Sequence, residues 1–215
     1  MDRVVYLLDV DNTLLDNDAV TADLRQHLAD AFGAEVQQRY WDIFEELRAR
    51  EGYADYLGAL QQFRIEHPAD PQLLSMSLYL LDYPFQQRLY PNAFEVLTSL
   101  GRLGTCVILS DGDAVFQPRK VDRSGLWRAV DGRVLIYIHK EQMLGDVERH
   151  FPADRYVVID DKLRLLTAIK QVWGPRVTTV FVRQGHYALD PNVTREYPAA
   201  DATIDRIADL IDRRL

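Results

Sequence analysis

At 215 residues and 47% hydrophobic, the chain can bury a full core, as one domain or as one domain with a substantial insertion. Its formal net charge of -8 argues against a nucleic-acid partner, because phosphate backbones reward clustered Lys and Arg. No apolar run approaches the ~18 residues of a membrane span, and a single cysteine, Cys106, excludes an internal disulfide. The N-terminal apolar stretch is short and runs straight into acid, unlike a signal peptide, so a water-soluble, cytoplasmic protein with no membrane partner is expected.

The first apolar run, Val4–Leu8, reads as a core strand and ends in "DVDNTLLDND". From about Asp16 to Arg88 the texture changes. Leu24, Leu28 and Phe32, then Tyr40, Phe44 and Leu47, then Leu57, Leu60 and Phe63, then Leu74, Leu78 and Leu81 recur at three- and four-residue spacing. This is a helical insertion, which Pro68 and Pro71 are expected to divide into two helical pairs, with Pro84 and Pro91 marking the return. It holds 13 Asp and Glu against 6 Arg and no Lys, so nearly all of the excess negative charge lies there.

Beyond it, strand-like runs at Thr105–Leu109, Val134–Ile138, Tyr156–Ile159 and Thr178–Val182 alternate with helical patterns at Ala93–Leu103, Lys140–His150 and Leu163–Trp173. The stretch from Gly112 to Arg133 is less clearly one helix. Such alternation specifies an α/β fold, a parallel sheet flanked by helices on both faces. Domain bounds of 1–15 and 89–215 for the sheet, and 16–88 for the helical insertion, follow.

In an open α/β sheet, ligands bind beyond the carboxyl ends of the strands. The first strand delivers Asp9, Asp11 and Thr13 there; the second "SDGD", Ser110 to Asp113; the third His139 and Lys140; the fourth Asp160 and Asp161. Carboxylates crowded together raise each other's pKa values, so positive charge must stand among them. Oxygen ligands without imidazole or thiolate favour a hard cation, and partly hydrated carboxylates suit Mg²⁺, which also takes a phosphate oxygen. Lys140 would supply a second positive charge.

These residues resemble the haloacid dehalogenase superfamily: "DVDNT" is similar to its D-x-D-x-T motif, "ILSDGD" to its strand-ending Ser/Thr, Lys140 to its lysine, and "VVIDDK" to its final acidic pair. Gln117, Lys120 and the "SGL" after the second motif also read as the family does. The resemblance implies a Rossmann-like sheet and an all-helical cap inserted after the first strand. It implies Asp9 as nucleophile and Asp11 as general acid and then base, with the Asp11 carbonyl also touching the metal. Thr13 would shape the turn. Ser110, Asp111 and Lys140 would surround the substrate phosphate, and Asp9, Asp11, Asp160 and Asp161 would form the Mg²⁺ site. In place of the Pro that commonly follows the family's lysine stands Glu141, and no further acid follows Asp161 by four or five residues.

The activity so implied is hydrolysis of a small phosphorylated metabolite through an aspartyl phosphate. A phosphomutase or phosphotransferase would share these residues, and a non-catalytic binding module is the third reading. The family's dehalogenases lack an acid at the Asp11 position, because displacing halide from carbon needs no proton donor there, so Asp11 favours phosphorus chemistry. Asp111 and Asp113 could instead cap the next helix; Lys162 could contact substrate, though a solvated lysine is the expectation, and Arg183 and His186 could face the site, though surface-loop residues are expected. Cap residues such as Tyr40, Trp41, Glu45, Arg48 and Tyr53 could read the substrate.

Overall fold

The computed structural model describes residues 3–69, 72–211 and 213. Its strands are β1 (Val4–Leu8), β2 (Thr105–Asp111), β3 (Val134–Tyr137), β4 (Arg155–Asp160), β5 (Val177–Val182) and β6 (Ala202–Ile204). They form one parallel sheet in the order β3-β2-β1-β4-β5-β6. β1 is central, with Leu8 in register with Ile108 on one side and Ile159 on the other.

Both faces of the sheet are buried, which is why the strands read as nearly continuous apolar runs. Val5, Leu7, Val107 and Val158 face one core; Tyr6, Leu8, Ile108 and Val157 face the other. Between β1 and β2 lie α1 (Asn17–Phe32), α2 (Ala34–Glu51), α3 (Tyr56–Glu66), α4 (Gln72–Asp82) and α5 (Ala93–Gly101). The stretch after β2 resolves into α6 (Phe116–Arg123) and the single turn α7 (Leu126–Ala129). The helix expected from Lys140 begins with a 3₁₀ turn, Lys140–Gln142, and becomes α8 at Leu144–His150. α9 (Leu163–Trp173) occupies its expected span; α10 (Gly185–Leu189) and α11 (Val193–Glu196) are short. No helix among the described residues is long and apolar enough to cross a membrane.

Local chemistry explains the breaks in the helical segment. Gly33 (φ 87°) separates α1 from α2, Gly52 (φ 83°) ends α2 in the left-handed region, and Asp55 caps α3 by accepting from the Gly58 N–H at 2.7 Å. Pro68 lies between α3 and α4, while Pro71 lies outside the described residues. Three helices precede this break and one follows, so the expected division into two pairs does not hold. On α4 the buried face is Leu73, Met76 and Leu80, whereas Leu74 and Leu78 are 64% and 61% exposed. The run "LLSMSLYLL" offers an apolar stripe in either setting, and the packing partner decides which one is buried.

The segment leaves and re-enters the sheet at one point. Leu15 bridges Leu89, Asp16 N–H donates to the Arg88 carbonyl at 2.7 Å, and Tyr90 N–H donates to the Leu14 carbonyl at 2.9 Å. One apolar cluster runs from Leu8 and Ile159 through Phe85 and Phe116 into Tyr56 and Trp41. The Phe116 ring stands 4.9 Å from Tyr56 and 5.7 Å from Phe85, joining α6 to the inserted helices. Phe116→Ala should therefore destabilise by about 3–5 kcal/mol. Urea denaturation checks this; a loss below about 1 kcal/mol would show that the two parts do not share a core there.

Candidate active site

Strand order alone marks the site. From β1 the sheet grows through β2 to β3 in one direction and through β4 to β6 in the other, leaving a crevice outside the carboxyl ends of β1 and β4. Those ends carry Asp9 and Asp11, and Asp160 and Asp161. Asp9 extends the ladder, its N–H donating to the Ile159 carbonyl at 3.0 Å. The chain then turns at Asn12, whose φ of 58° lies in a region Asn tolerates better than most residues. Asn12 Oδ1 accepts the N–H groups of Asn17 and Asp18 at 3.0 and 3.2 Å, tying the turn to the start of α1. Gly185 (φ 72°) packs so closely on Asn12 that a Cβ would lie 2.4 Å from the Asn12 Cβ.

Carboxylate oxygens of Asp9, Asp160 and Asp161 lie within 4.8 Å of one another, and all three residues are buried. Lys140 Nζ enters this group, 2.6 Å from Asp9 Oδ1 and 2.6 Å from Asp160 Oδ2. The Asp160 contact is one of charge, without aligned hydrogen-bond geometry. Burial alone would pull the Lys140 ammonium down, but the charges of Asp160, Asp9 and Asp111 outweigh it and hold the group well above the ordinary lysine value. Burial pushes the Asp160 carboxyl up against the opposing pull of Lys140. Asp161 is pushed well up, by burial and then by Asp160. Among the described residues neither Asp161 oxygen has a hydrogen-bond partner. An oxygen-only triad with two orphaned buried acceptors has the chemistry of a hard-cation site.

Asp11 has different surroundings. Its side chain is 26% exposed, with Oδ1 2.7 Å from Lys120 Nζ and Oδ2 3.2 Å from Gln117 Nε2. Lys120, itself buried, also donates to Asn17 Oδ1 at 2.9 Å. Ser110 Oγ donates to Asp9 Oδ1 at 3.3 Å and accepts from Gln117 Nε2 at 3.0 Å. A cleft of about 970 Å³ opens above, walled by Asp11, Asp111, Asp161 and Lys162 from the sheet side and by Trp41, Arg48 and Tyr53 from α2 and the loop after it.

No protein-family model matches this sequence, and no curated protein does. Among solved structures, a haloacid dehalogenase-like hydrolase from Burkholderia xenovorans is similar at 59% identity, over 100% of both chains, with a TM-score of 0.94. The chain belongs to the haloacid dehalogenase-like hydrolases. At the level of fold it also resembles a HAD hydrolase from Bacillus subtilis bound to magnesium, at 16% identity over 99% of this chain and 100% of that one, with a TM-score of 0.65. An L-2-haloacid dehalogenase from Xanthobacter autotrophicus gives 19% identity over 98% and 97%, again with a TM-score of 0.65.

Within this haloacid dehalogenase-like site, the structure gathers Asp9, Ser110, Lys140, Asp160 and Asp161 as the sequence pattern implies. The Asp11 carboxylate lies outside the acidic triad, because Lys120 and Gln117 hold it. Asp111 uses Oδ1 to accept the Lys140 N–H at 2.7 Å, and burial lifts its pKa to about 6 against the pull of Lys140. That carboxyl anchors the Lys140 backbone, and a carboxylate would repel a phosphate. Asp113 caps α6, accepting from Val115 and Phe116 at 2.8 and 2.7 Å. Thr13 is fully buried, its hydroxyl without a hydrogen-bond partner among the described residues. Arg183 is exposed and pairs with Asp205, whereas His186 lines the cleft and holds Asp18 at 2.6 Å. Of the expected cap residues, Trp41, Glu45, Arg48 and Tyr53 reach the cleft; Tyr40 is fully buried and donates to the Tyr56 carbonyl at 2.8 Å. Lys162, expected in solvent, is half-buried at the cleft floor.

Lys140→Met tests the charge balance. Without the ammonium, ionisation of the buried Asp160 opposes folding and its folded-state pKa rises further, so stability falls as pH increases through it. The variant should lose about 3–5 kcal/mol at pH 8 in EDTA, and clearly less at pH 5. Equal losses in urea titrations at both pH values would mean that Lys140 acts through packing alone.

Proposed function

We propose that this chain is a Mg²⁺-dependent phosphohydrolase acting on a small phosphate monoester through an aspartyl phosphate on Asp9, with residues 16–88 as a cap over the cleft. The observation that carries the reading is Asp11, a carboxylate at the cleft two residues after the nucleophile, oriented by Lys120 and Gln117. Phosphoryl transfer between oxygens needs a group there that gives and takes a proton; halide displacement from carbon does not.

In the first half-reaction an Asp9 oxygen attacks phosphorus, the P–O bond to the alcohol breaks, and Asp11 protonates the departing oxygen. In the second, Asp11 takes a proton from water, the water oxygen attacks phosphorus, and the Asp9–phosphate bond breaks to give orthophosphate. Ser110 and Lys140 donate to phosphoryl oxygens, and Lys140 offsets the charge of Asp9. Asp9, Asp160 and Asp161 fit the metal by their oxygen-only donors and the unpartnered Asp161. When bound, Mg²⁺ would neutralise charge on the phosphoryl oxygens. The cap would exclude water and select the alcohol.

Assay of phosphorylated metabolites with Mg²⁺, reading orthophosphate and isomerised product together, tests this reading. L-2-Chloropropionate provides the contrast: halide release from it, with no phosphate ester turned over, would overturn the proposal. Activity should vanish with EDTA and be blocked by Ca²⁺, whose looser coordination misplaces the phosphoryl group.

Mg²⁺ should also raise the melting temperature. Because Asp160 and Asp161 hold their protons above the ordinary carboxylate range, protons compete with the metal and the shift should be larger at pH 8 than at pH 5. Asp161→Asn should reduce the shift at pH 8; an unchanged shift would place the cation elsewhere.

The two acids should fail differently. Asp9→Asn should abolish turnover and any covalent adduct. Asp11→Asn should lower turnover by roughly 10²–10⁴ and, with an activated ester, accumulate a phosphate adduct visible by intact mass after acid quench. An adduct in Asp9→Asn would mean the roles are assigned wrongly.

A further inference from the structure

Only four of the 25 basic residues are lysines: Lys120, Lys140, Lys162 and Lys170. Lys170 pairs with Asp201 at 2.8 Å, away from the cleft. Lys120 and Lys140 have carboxylates at 2.7 and 2.6 Å. Lys162 differs. Its backbone N–H donates to Asp160 Oδ1 at 2.8 Å, yet among the described residues its Nζ makes no hydrogen bond or ion pair. The ammonium lies instead over the ring of Tyr187 on α10, 5.1 Å from the centroid. The Arg48 guanidinium of α2 lies 5.6 Å from the same centroid.

A half-buried ammonium without a hydrogen-bond acceptor is costly, and an aromatic face returns only about 0.5–2 kcal/mol. The ring fixes where the cation stands without using its N–H donors. Lys162 and Asp161 both line the cleft. The acceptor that suits those donors carries negative charge and enters through the cleft. On the phosphohydrolase reading, on which this inference rests, that acceptor is the phosphoryl group itself.

We propose that Lys162 is a further catalytic residue, hydrogen-bonding a non-bridging phosphoryl oxygen, and that Tyr187 positions it. Lys162 keeps its proton throughout. While the Asp9–phosphorus bond forms and the ester bond breaks, it stabilises charge on an oxygen that does not leave, which separates its role from that of Asp11. The bland alternative is that Lys162 only offsets Asp161. The two differ in what its removal does to anion binding and to metal binding.

The test titrates orthovanadate, a phosphoryl mimic, and inorganic phosphate into the Mg²⁺-loaded full chain by calorimetry, with Mg²⁺ melting shifts alongside. Lys162→Met should weaken vanadate about 10–100-fold, as expected for losing a hydrogen bond to a charged group, while the Mg²⁺ shift stays at least as large. Lys162→Arg should recover part of the affinity. Tyr187→Phe should match the parent and Tyr187→Leu should lose several-fold, since only the ring is needed. Should Lys162→Met not fold, Lys162→Gln carries the same comparison. Unchanged vanadate affinity in a folded variant overturns the proposal and leaves the phosphohydrolase reading standing. So does loss of the Mg²⁺ shift together with vanadate binding, which marks charge balance alone. A parent protein that neither binds vanadate nor turns over phosphate esters overturns both.

Discussion

Mutual repulsion among Asp9, Asp160 and Asp161 is the constraint around which the sheet edge is arranged. Three buried carboxylates within 4.8 Å of one another would unfold a small domain if left as bare anions. The Lys140 ammonium relieves two of them directly. It comes from the end of β3, two strands away from β1, and is held by the Leu109 carbonyl at 3.2 Å and by Asp111 on its own backbone N–H. β3 is an edge strand with every residue only partly buried, and its side chains pack at the margins of both cores. Its contribution to the site is the placement of one charge. Among the described residues Asp161 has no ion pair of its own, and its two unpartnered oxygens give the triad the chemistry of a cation site.

The same edge constrains the helices inserted after β1. Their two connections to the sheet pair with each other at Leu15 and Leu89, so the segment joins the sheet at one narrow junction beside the turn at Asn12. Yet the apolar cluster continues across α6 through Phe116 and Tyr56. On the other side of the cleft, Tyr187 lies between Arg48 from α2 and Lys162 from the sheet, and His186 holds Asp18 of α1.

Much of this was legible in the sequence because parallel-sheet strands are apolar on both faces and their carboxyl ends are where polar residues gather. β1 and α9 fall at their expected bounds, and four strand ends point to the acids that converge. What was not legible depends on tertiary context. β6 is three residues at the sheet edge, too short to carry a pattern. The α4 stripe had two settings with equal spacing. Lys162 could be read as a substrate contact but was expected in solvent; the signal against solvent was the scarcity of lysine in a chain that takes Arg for 21 of its 25 cations, counting 25 minus four lysines. A chain that solvates its surface with arginine and places three of four lysines at one sheet edge is using the compact ammonium for a purpose.

Asp9 and Asp11 stand two residues apart and have opposite surroundings. A strand continuing past Leu8 would send both side chains to the same face, but the left-handed turn at Asn12 ends the strand at once. Asp9 stays in the buried ladder with Lys140 and Ser110; Asp11 turns to Lys120 and Gln117 at the cleft wall. Each acid therefore has its own lysine, on a different element, and a different access to water. In the proposed reaction the nucleophile must be held rigid, whereas the group that exchanges protons with substrate and water must reach both. Separating two identical side chains by environment is how a pair of carboxylates is divided between those tasks. The backbone at Asn12 performs that separation, with Gly185 packed against it and its side chain tied to the start of the inserted helices.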